Sequence, residues 1–154
     1  MSAGSQEWLE ANARLRDVVT LPSGLQYKVV RAAPFEAKSP LPFTPCECHY
    51  RGTLLDGTEF DSSHARGKPA TVAPCQVVKG WTEAMQLMGE GDEWIIWLPP
   101  SLAYGDRQQG LIPPGSALVF ELAMLSVLGD SKPRPDGSCS AAARRMLNNC
   151  WQLR

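Results

Sequence analysis

Six residues pair a ring or a carboxylate with a turn or the end of a predicted element. They are Tyr50 in HYRG, Phe60 and Asp61 in EFDSS, Trp81 in GWTEAM, Tyr104 in LAYGD, and Phe120 in the last apolar run. Ring faces around a single carboxylate suit desolvation and shape recognition rather than bond-breaking. Aromatic residues on loops beside a rigid sheet mark binding more often than packing. The usual machinery of covalent and phosphoryl chemistry is missing from the chain: no Gly-x-Gly-x-x-Gly, no Walker loop, no His-Glu-x-x-His and no Gly-x-Ser-x-Gly. With only His49 and His64, a His-dependent triad has few candidates. Cys46 and Cys48 lie two apart in a strand-like run and share one face, while His49 points to the other. A metal site from Cys-x-Cys-His is therefore geometrically poor, and buried inert thiols are the simpler reading. Any catalysis by this chain works without a nucleophile or a metal.

Taken singly, none of the six is specific. Trp81, Met85 and Met88 recur at helical spacing and read as core packing. Phe60 and Phe120 suit a core equally well. Tyr104 fits a Tyr-Gly turn, and Asp61 before Ser62 and Ser63 fits a turn or cap. Only their joint spacing separates a site from a core.

The elements that must position these residues read as follows. Residues 5–16 form a short amphipathic helix with Ser5 as N-cap and Trp8, Leu9, Ala13 and Leu15 on its apolar side. Residues 25–30 form a strand. Four prolines between 33 and 45 make that stretch a loop. A strand over 46–55 ends at the turn signal Asp56-Gly57, and residues 58–61 resume the sheet. Residues 64–69 are loop, and 81–88 are a helix between Gly80 and Gly89. Residues 93–98 form a strand stopped by Pro99-Pro100, 103–115 a long loop, and 117–128 a last strand. If Trp94, Ile96 and Leu98 face inward, Ile95 and Trp97 face out, as a partner patch or under the tail. A sheet that buries one face on a single helix is an α+β domain.

Composition narrows the classes further. At 154 residues and 44% hydrophobic, the chain has one domain's worth of core without staples. Fifteen basic against 16 acidic residues leave no basic excess for nucleic acid and no basic amphipathic run for a membrane surface. No run of about 18 apolar residues suggests a span. The N-terminus lacks the apolar core of a signal peptide, so a cytoplasmic location is expected, with secretion after processing left open. Five scattered cysteines do not form a disulfide framework. After Gly129 the composition turns linker-like, so the expected organisation is a helical extension over 1–22, a domain over 23–129 and a flexible tail over 130–154. That tail carries Cys139 and Cys150, and 141–151 has enough apolar residues for a helical turn.

Three stretches, HYRGTLLDGTEFDSSHARGKPA, VVKGWTEAMQLMGEGDEW and LPPSLAYGDRQQGLIPPGSALVFELAML, resemble the FKBP-type peptidyl-prolyl isomerases over about residues 23–127. The upstream EWLEANARLRDVVTLPSGLQYKVV is similar to the macrophage infectivity potentiator branch. Members of that branch carry a longer N-terminal helix used for dimerisation. This chain keeps only its end, from which a monomer is expected.

The resemblance implies a bent antiparallel sheet wrapped around one short helix, with a pocket between them. It implies rotation of Xaa-Pro bonds in protein and peptide substrates, in support of folding, without cofactor or metal. It also implies binding of rapamycin- and tacrolimus-class macrolides as inhibitors. The walls carried over are Tyr50, Phe60, Val77, Val78, Trp81, Tyr104, Ile112 and Phe120, with Trp81 as floor and Asp61 on the rim. Tyr104 and the Val78 backbone N–H would donate hydrogen bonds to the ligand, and Arg66 would orient Tyr50 and Asp61. Catalytic roles fall to Asp61, Tyr104, Tyr50 and Trp81. Two positions that are usually aromatic are here Ala70 and Val72, which would open one pocket wall and weaken macrolide binding. The loop 106–111 replaces a variable one, which leaves substrate preference open.

Overall fold

The computed structural model describes residues 3–34 and 36–134. Two α-helices, α1 (Ala3–Ala13) and α2 (Lys79–Leu87), accompany nine strands. The strands are β1 (Val19–Thr20), β2 (Gln26–Arg31), β3 (Lys38–Pro40), β4 (Cys46–Leu54), β5 (Glu59–Ser62), β6 (Ala70–Val72), β7 (Glu93–Leu98), β8 (Leu118–Val127) and β9 (Ser131–Pro133). Seven of them make a bent antiparallel sheet in the order β1-β2-β7-β8-β4-β5, with β6 also paired to β4. The α+β architecture expected from the sequence is therefore present.

Alternation explains the central strands. In β7, Trp94, Ile96 and Leu98 are buried on the α2 side, and in β8 Leu118, Phe120, Leu122 and Met124 do the same. Facing them, α2 buries Trp81, Ala84 and Met85, with Met88 beneath its C-terminus. Each such side chain removed from water contributes roughly 1.5–3 kcal/mol before entropy is counted. Gly80 belongs to this helix rather than preceding it, and its lack of a side chain lets the helix approach β7, since a Cβ there would stand 2.3 Å from Leu98.

The opposite face of the sheet is covered by α1. Leu9 packs with Trp97 and Ala117, and partly buried Ile95 and Val119 join them. Two buried side-chain hydrogen bonds lock the helix down: Asn12 Nδ2 donates to Gln26 Oε1 at 2.7 Å, and Gln26 Nε2 donates to the Leu9 carbonyl at 2.8 Å. Trp97 is thus an internal residue under α1 rather than part of an exposed patch. The helix itself is shorter than its pattern and begins earlier, with Ser5 inside it rather than capping it. Arg14 and Leu15 N–H groups bond three residues back, tightening the last turn, and Leu15 emerges 59% exposed.

The stretch 33–45, read as loop, contains β3, and the domain does not stop at residue 129. β9 pairs with β3, and Arg134 is buried beyond it against Asp92 at 3.7 Å. Asp92 Oδ1 accepts the Ala33 N–H, Oδ2 accepts the Gly89 N–H, and Arg134 Nη2 donates to the Pro34 carbonyl. β1 likewise pairs with β2, so the sheet begins inside the segment read as an extension. The readings of 141–151 as a helical turn and of Cys139 and Cys150 as tail features lie outside the described residues. No helix among the described residues is long and apolar enough to cross a membrane.

Candidate functional site

A cavity of about 520 Å³ opens between α2, the sheet and the loop after β7. Four rings form its inner surface. Trp81 stands perpendicular to Tyr50 (centroids 5.0 Å, planes 84°) and to Phe120 (5.2 Å, 87°), and Phe60 stands perpendicular to Phe120 (5.6 Å, 88°). Edge-to-face contacts at these distances set the positive rim of one ring on the negative face of the next. Each ring therefore constrains its neighbour's orientation.

Gly52 makes the cage possible. It lies on β4 opposite Phe120 of β8 and Asp61 of β5, and a Cβ there would sit 2.7 Å from both Phe120 and Phe60. The rings occupy the volume that any other residue at this position would need.

At the rim a polar trio is set by the β4–β5 ladder. The Tyr50 hydroxyl donates to Asp61 Oδ2 at 2.6 Å and accepts from Arg66 Nη2 at 2.6 Å. Arg66 Nη1 closes the triangle on Asp61 Oδ1, and its guanidinium carbon lies 5.4 Å from the Tyr50 ring centre. Partial burial pushes the Asp61 carboxyl up, but the hydrogen bonds from Tyr50 and Arg66 and the arginine charge outweigh it. The carboxyl is held below the usual carboxylate range. Burial, together with the hydrogen bond to Asp61, raises the Tyr50 phenol, so it stays a donor.

Buried Ser63 anchors the turn that carries this trio. Its N–H donates to the Tyr50 carbonyl, its hydroxyl accepts from the Tyr50 N–H at 2.7 Å, and the same hydroxyl bonds His49 Nδ1 at 2.7 Å. His49 stacks on His64 with centroids 4.3 Å apart and planes 10° apart. Two parallel rings cannot both hold one ion in their planes, so the pair braces the turn rather than chelating.

The structure brings together most of the residues singled out from the sequence. Tyr50, Phe60, Asp61, Val77, Val78, Trp81, Tyr104 and Phe120 all line the cavity. Val78 is the N-cap of α2, and Trp81 is 5% exposed with its indole Nε1 unpartnered among the described residues. Arg66 stands behind the rim, acting on Tyr50 and Asp61. Ile112 is 4% exposed and belongs to the hydrophobic core rather than the lining. Ala70 and Val72 do not reach the cavity either. They pair with Cys48 and Cys46 on the far half of β4, and their short side chains pack on the core.

Four lining residues were missed: Gln76, Lys79, Ala103 and Arg107. Gln76 and Lys79 lie just before GW, Ala103 and Arg107 within the loop 103–115, and nothing but proximity in sequence to Trp81 and Tyr104 marked them. Cys46 and Cys48 point into the core, where burial raises their thiols to about 11 and about 12.

The family model for FKBP-type peptidyl-prolyl cis-trans isomerases matches residues 36–125, and the model for the domain amino-terminal to such isomerases matches residues 1–29. A macrophage infectivity potentiator of Trypanosoma cruzi is 46% identical over 128 residues, which are 82% of this chain and 65% of that protein. The FKBP-type 22 kDa peptidyl-prolyl cis-trans isomerase of Escherichia coli is 43% identical over 83% of this chain and 62% of its own length. The crystal structure of FkpA from Escherichia coli superposes with a TM-score of 0.76 at 38% identity, covering 86% of this chain and 60% of that one. The chain thus spans under two-thirds of the length of these relatives. Within that span, the family model, the sequence identities and the superposition agree: the chain belongs to the FKBP-type peptidyl-prolyl cis-trans isomerase family.

Proposed function

We propose that this chain is a peptidyl-prolyl cis-trans isomerase that turns Xaa-Pro bonds of proteins and peptides over the face of Trp81. The observation that carries the reading is the cage of four rings joined by edge-to-face contacts, apolar and open on one side. Amide rotation has a barrier of about 18–20 kcal/mol, set by conjugation that shortens the C–N bond. No bond is broken and no proton moves. Conjugation weakens when the carbonyl leaves water, because hydration favours the planar dipolar form. A pocket shaped to a twisted prolyl amide binds that state better than either planar isomer.

In this reading Trp81 carries the pyrrolidine ring, while Tyr50, Phe60 and Phe120 exclude water. Tyr104 and the Val78 N–H hold the flanking carbonyls. Asp61 is not a proton donor. Both its oxygens are taken, by Tyr50 and Arg66, and it stays ionised (the carboxylate is already in its low-energy partnership). Its role is to hold Tyr50 and Arg66 in place.

The test is exchange NMR of an Xaa-Pro peptide with wild type, Trp81→Leu and Asp61→Ala. The expected result is acceleration by wild type, largely lost in Trp81→Leu. Binding without acceleration by wild type would instead make this a proline-binding module. Macrolides of the rapamycin and tacrolimus class belong to the same reading as inhibitors, with affinity lowered by Ala70 and Val72. Ala70→Phe should tighten binding in a titration, and unchanged affinity would remove that position from the account.

A further inference from the structure

The cavity's charges do not balance. Asp61 is the one carboxylate among the described residues that line it, and Arg66 already neutralises it. Two further cations line the same cavity: Lys79, the first residue of α2, and Arg107, on the loop after Tyr104. Among the described residues the ion pairs are Arg51–Glu59, Arg66–Asp61 and Arg134–Asp92, so neither Lys79 nor Arg107 is in one. The acids nearest in sequence are Glu83, one turn along α2, and Asp106. Glu83 accepts a hydrogen bond from the Ser23 hydroxyl, and neither acid lines the cavity. Gln76, the remaining polar lining side chain apart from Tyr104, accepts the Ala73 N–H and adds no charge.

We propose that Lys79 and Arg107 determine specificity, so that the site takes Xaa-Pro segments carrying a carboxylate within one residue of the proline in preference to basic ones. This rests on the isomerase reading of the cavity. The cage recognises the prolyl ring and says nothing about its neighbours in sequence. A substrate lying across the cavity passes between the start of α2 and the 103–115 loop, and there both cations stand in solvent. Exposed charges of this kind govern encounter and discrimination more than total affinity, and salt weakens them. Their effect is therefore a preference between substrates that share the same proline.

The test compares capped Ala-Glu-Pro-Phe with Ala-Lys-Pro-Phe, and Ala-Pro-Glu-Phe with Ala-Pro-Lys-Phe. For each, kcat/KM is measured by exchange NMR and Kd by chemical-shift titration, in low and high salt. Wild type should favour the glutamate peptides by roughly twofold to tenfold at low salt, the scale of one or two exposed charge pairs. The preference should shrink as salt rises and invert in a Lys79→Glu/Arg107→Glu variant. Equal values for the glutamate and lysine peptides in wild type would overturn the proposal. So would a glutamate preference that survives charge reversal. If no peptide is turned over, the isomerase reading fails, and the Kd ratios still decide whether these cations select acidic segments.

Discussion

The Tyr50 hydroxyl donates to Asp61 at 2.6 Å while accepting from Arg66 at the same distance, so one phenol links an anion to a cation at the mouth of the cavity. The order of these bonds matters. A protonated Asp61 would lose its acceptor role toward one partner, and Tyr50, an edge-on neighbour of Trp81, would lose its tether.

Asp61→Asn keeps the size and removes the charge. It should lower kcat/KM on the order of tenfold, the scale of one charge-assisted hydrogen bond. The pH dependence has a defined sign. Because the folded-state carboxyl is held below its ordinary value, its contribution is complete above the ordinary carboxylate range. It is lost only as pH falls through the lowered value. Activity should therefore be indifferent to this group from neutral pH down to the ordinary carboxylate range. A carboxyl ¹³C titration of Asp61 midway at or above the ordinary value would contradict this assignment.

Gly52→Ala tests the cage directly. Its methyl would lie 2.7 Å from Phe60 and Phe120, whose perpendicular contacts leave no free rotation to absorb it. Overpacking of this kind costs typically about 1–3 kcal/mol. Both the melting temperature and kcat/KM should drop, with ring-proton shifts of Phe60 and Phe120 reporting the displacement. An active variant with unshifted ring signals would show that the cage tolerates a larger residue.

Much of this arrangement is legible from residue order, and the reasons for the remainder are physical. β7 and β8 alternate cleanly because one face meets α2, so their inward residues could be named. β3, β6 and β9 have three residues each and no pattern of their own. β3 is a strand only because β9, about ninety residues later, closes the ladder with it. Trp97 was read correctly as facing away from α2, yet its burial depends on a helix whose docking rests on Asn12 and Gln26. Polar residues are not what an apolar-stripe argument looks for. The absence of rings at positions 70 and 72 is visible in the sequence, and the short Ala70 and Val72 side chains pack on the core without reaching the cavity.

Arg134 lies five residues past the expected end of the domain, and its removal should be costly. Arg134→Ala leaves Asp92 buried and without its cation. Breaking a buried pair in this way typically costs about 3–5 kcal/mol. Burial already raises the Asp92 carboxyl, and the variant removes one of the interactions opposing that rise. Urea unfolding should show the loss. Changing both partners, as Asp92→Asn with Arg134→Met, should recover part of it. A stability change below about 0.5 kcal/mol, the range of an ordinary surface substitution, would mean that β9 is not held by this pair.

The cysteines give the last prediction. Cys46 and Cys48 are buried, and burial raises their thiols to about 11 and about 12, with Glu90 adding to the first and the neighbouring Cys46 to the second. The thiolate is the reactive form, so both should resist alkylation in the folded protein at pH 8, while exposed Cys75 reacts. The linkage has the opposite sign to Asp61. The folded state holds these protons more tightly than the unfolded chain, so their contribution is complete below the ordinary thiol value. It is lost as pH rises from there toward 11 and 12. Peptide mapping after brief iodoacetamide treatment should find the label on Cys75 and not on Cys46 or Cys48, until urea or strong alkali opens the β4 ladder. Labelling of Cys48 under native conditions at the rate of Cys75 would mean that β4 opens locally, and with it the strand that carries Tyr50 and Gly52 into the site.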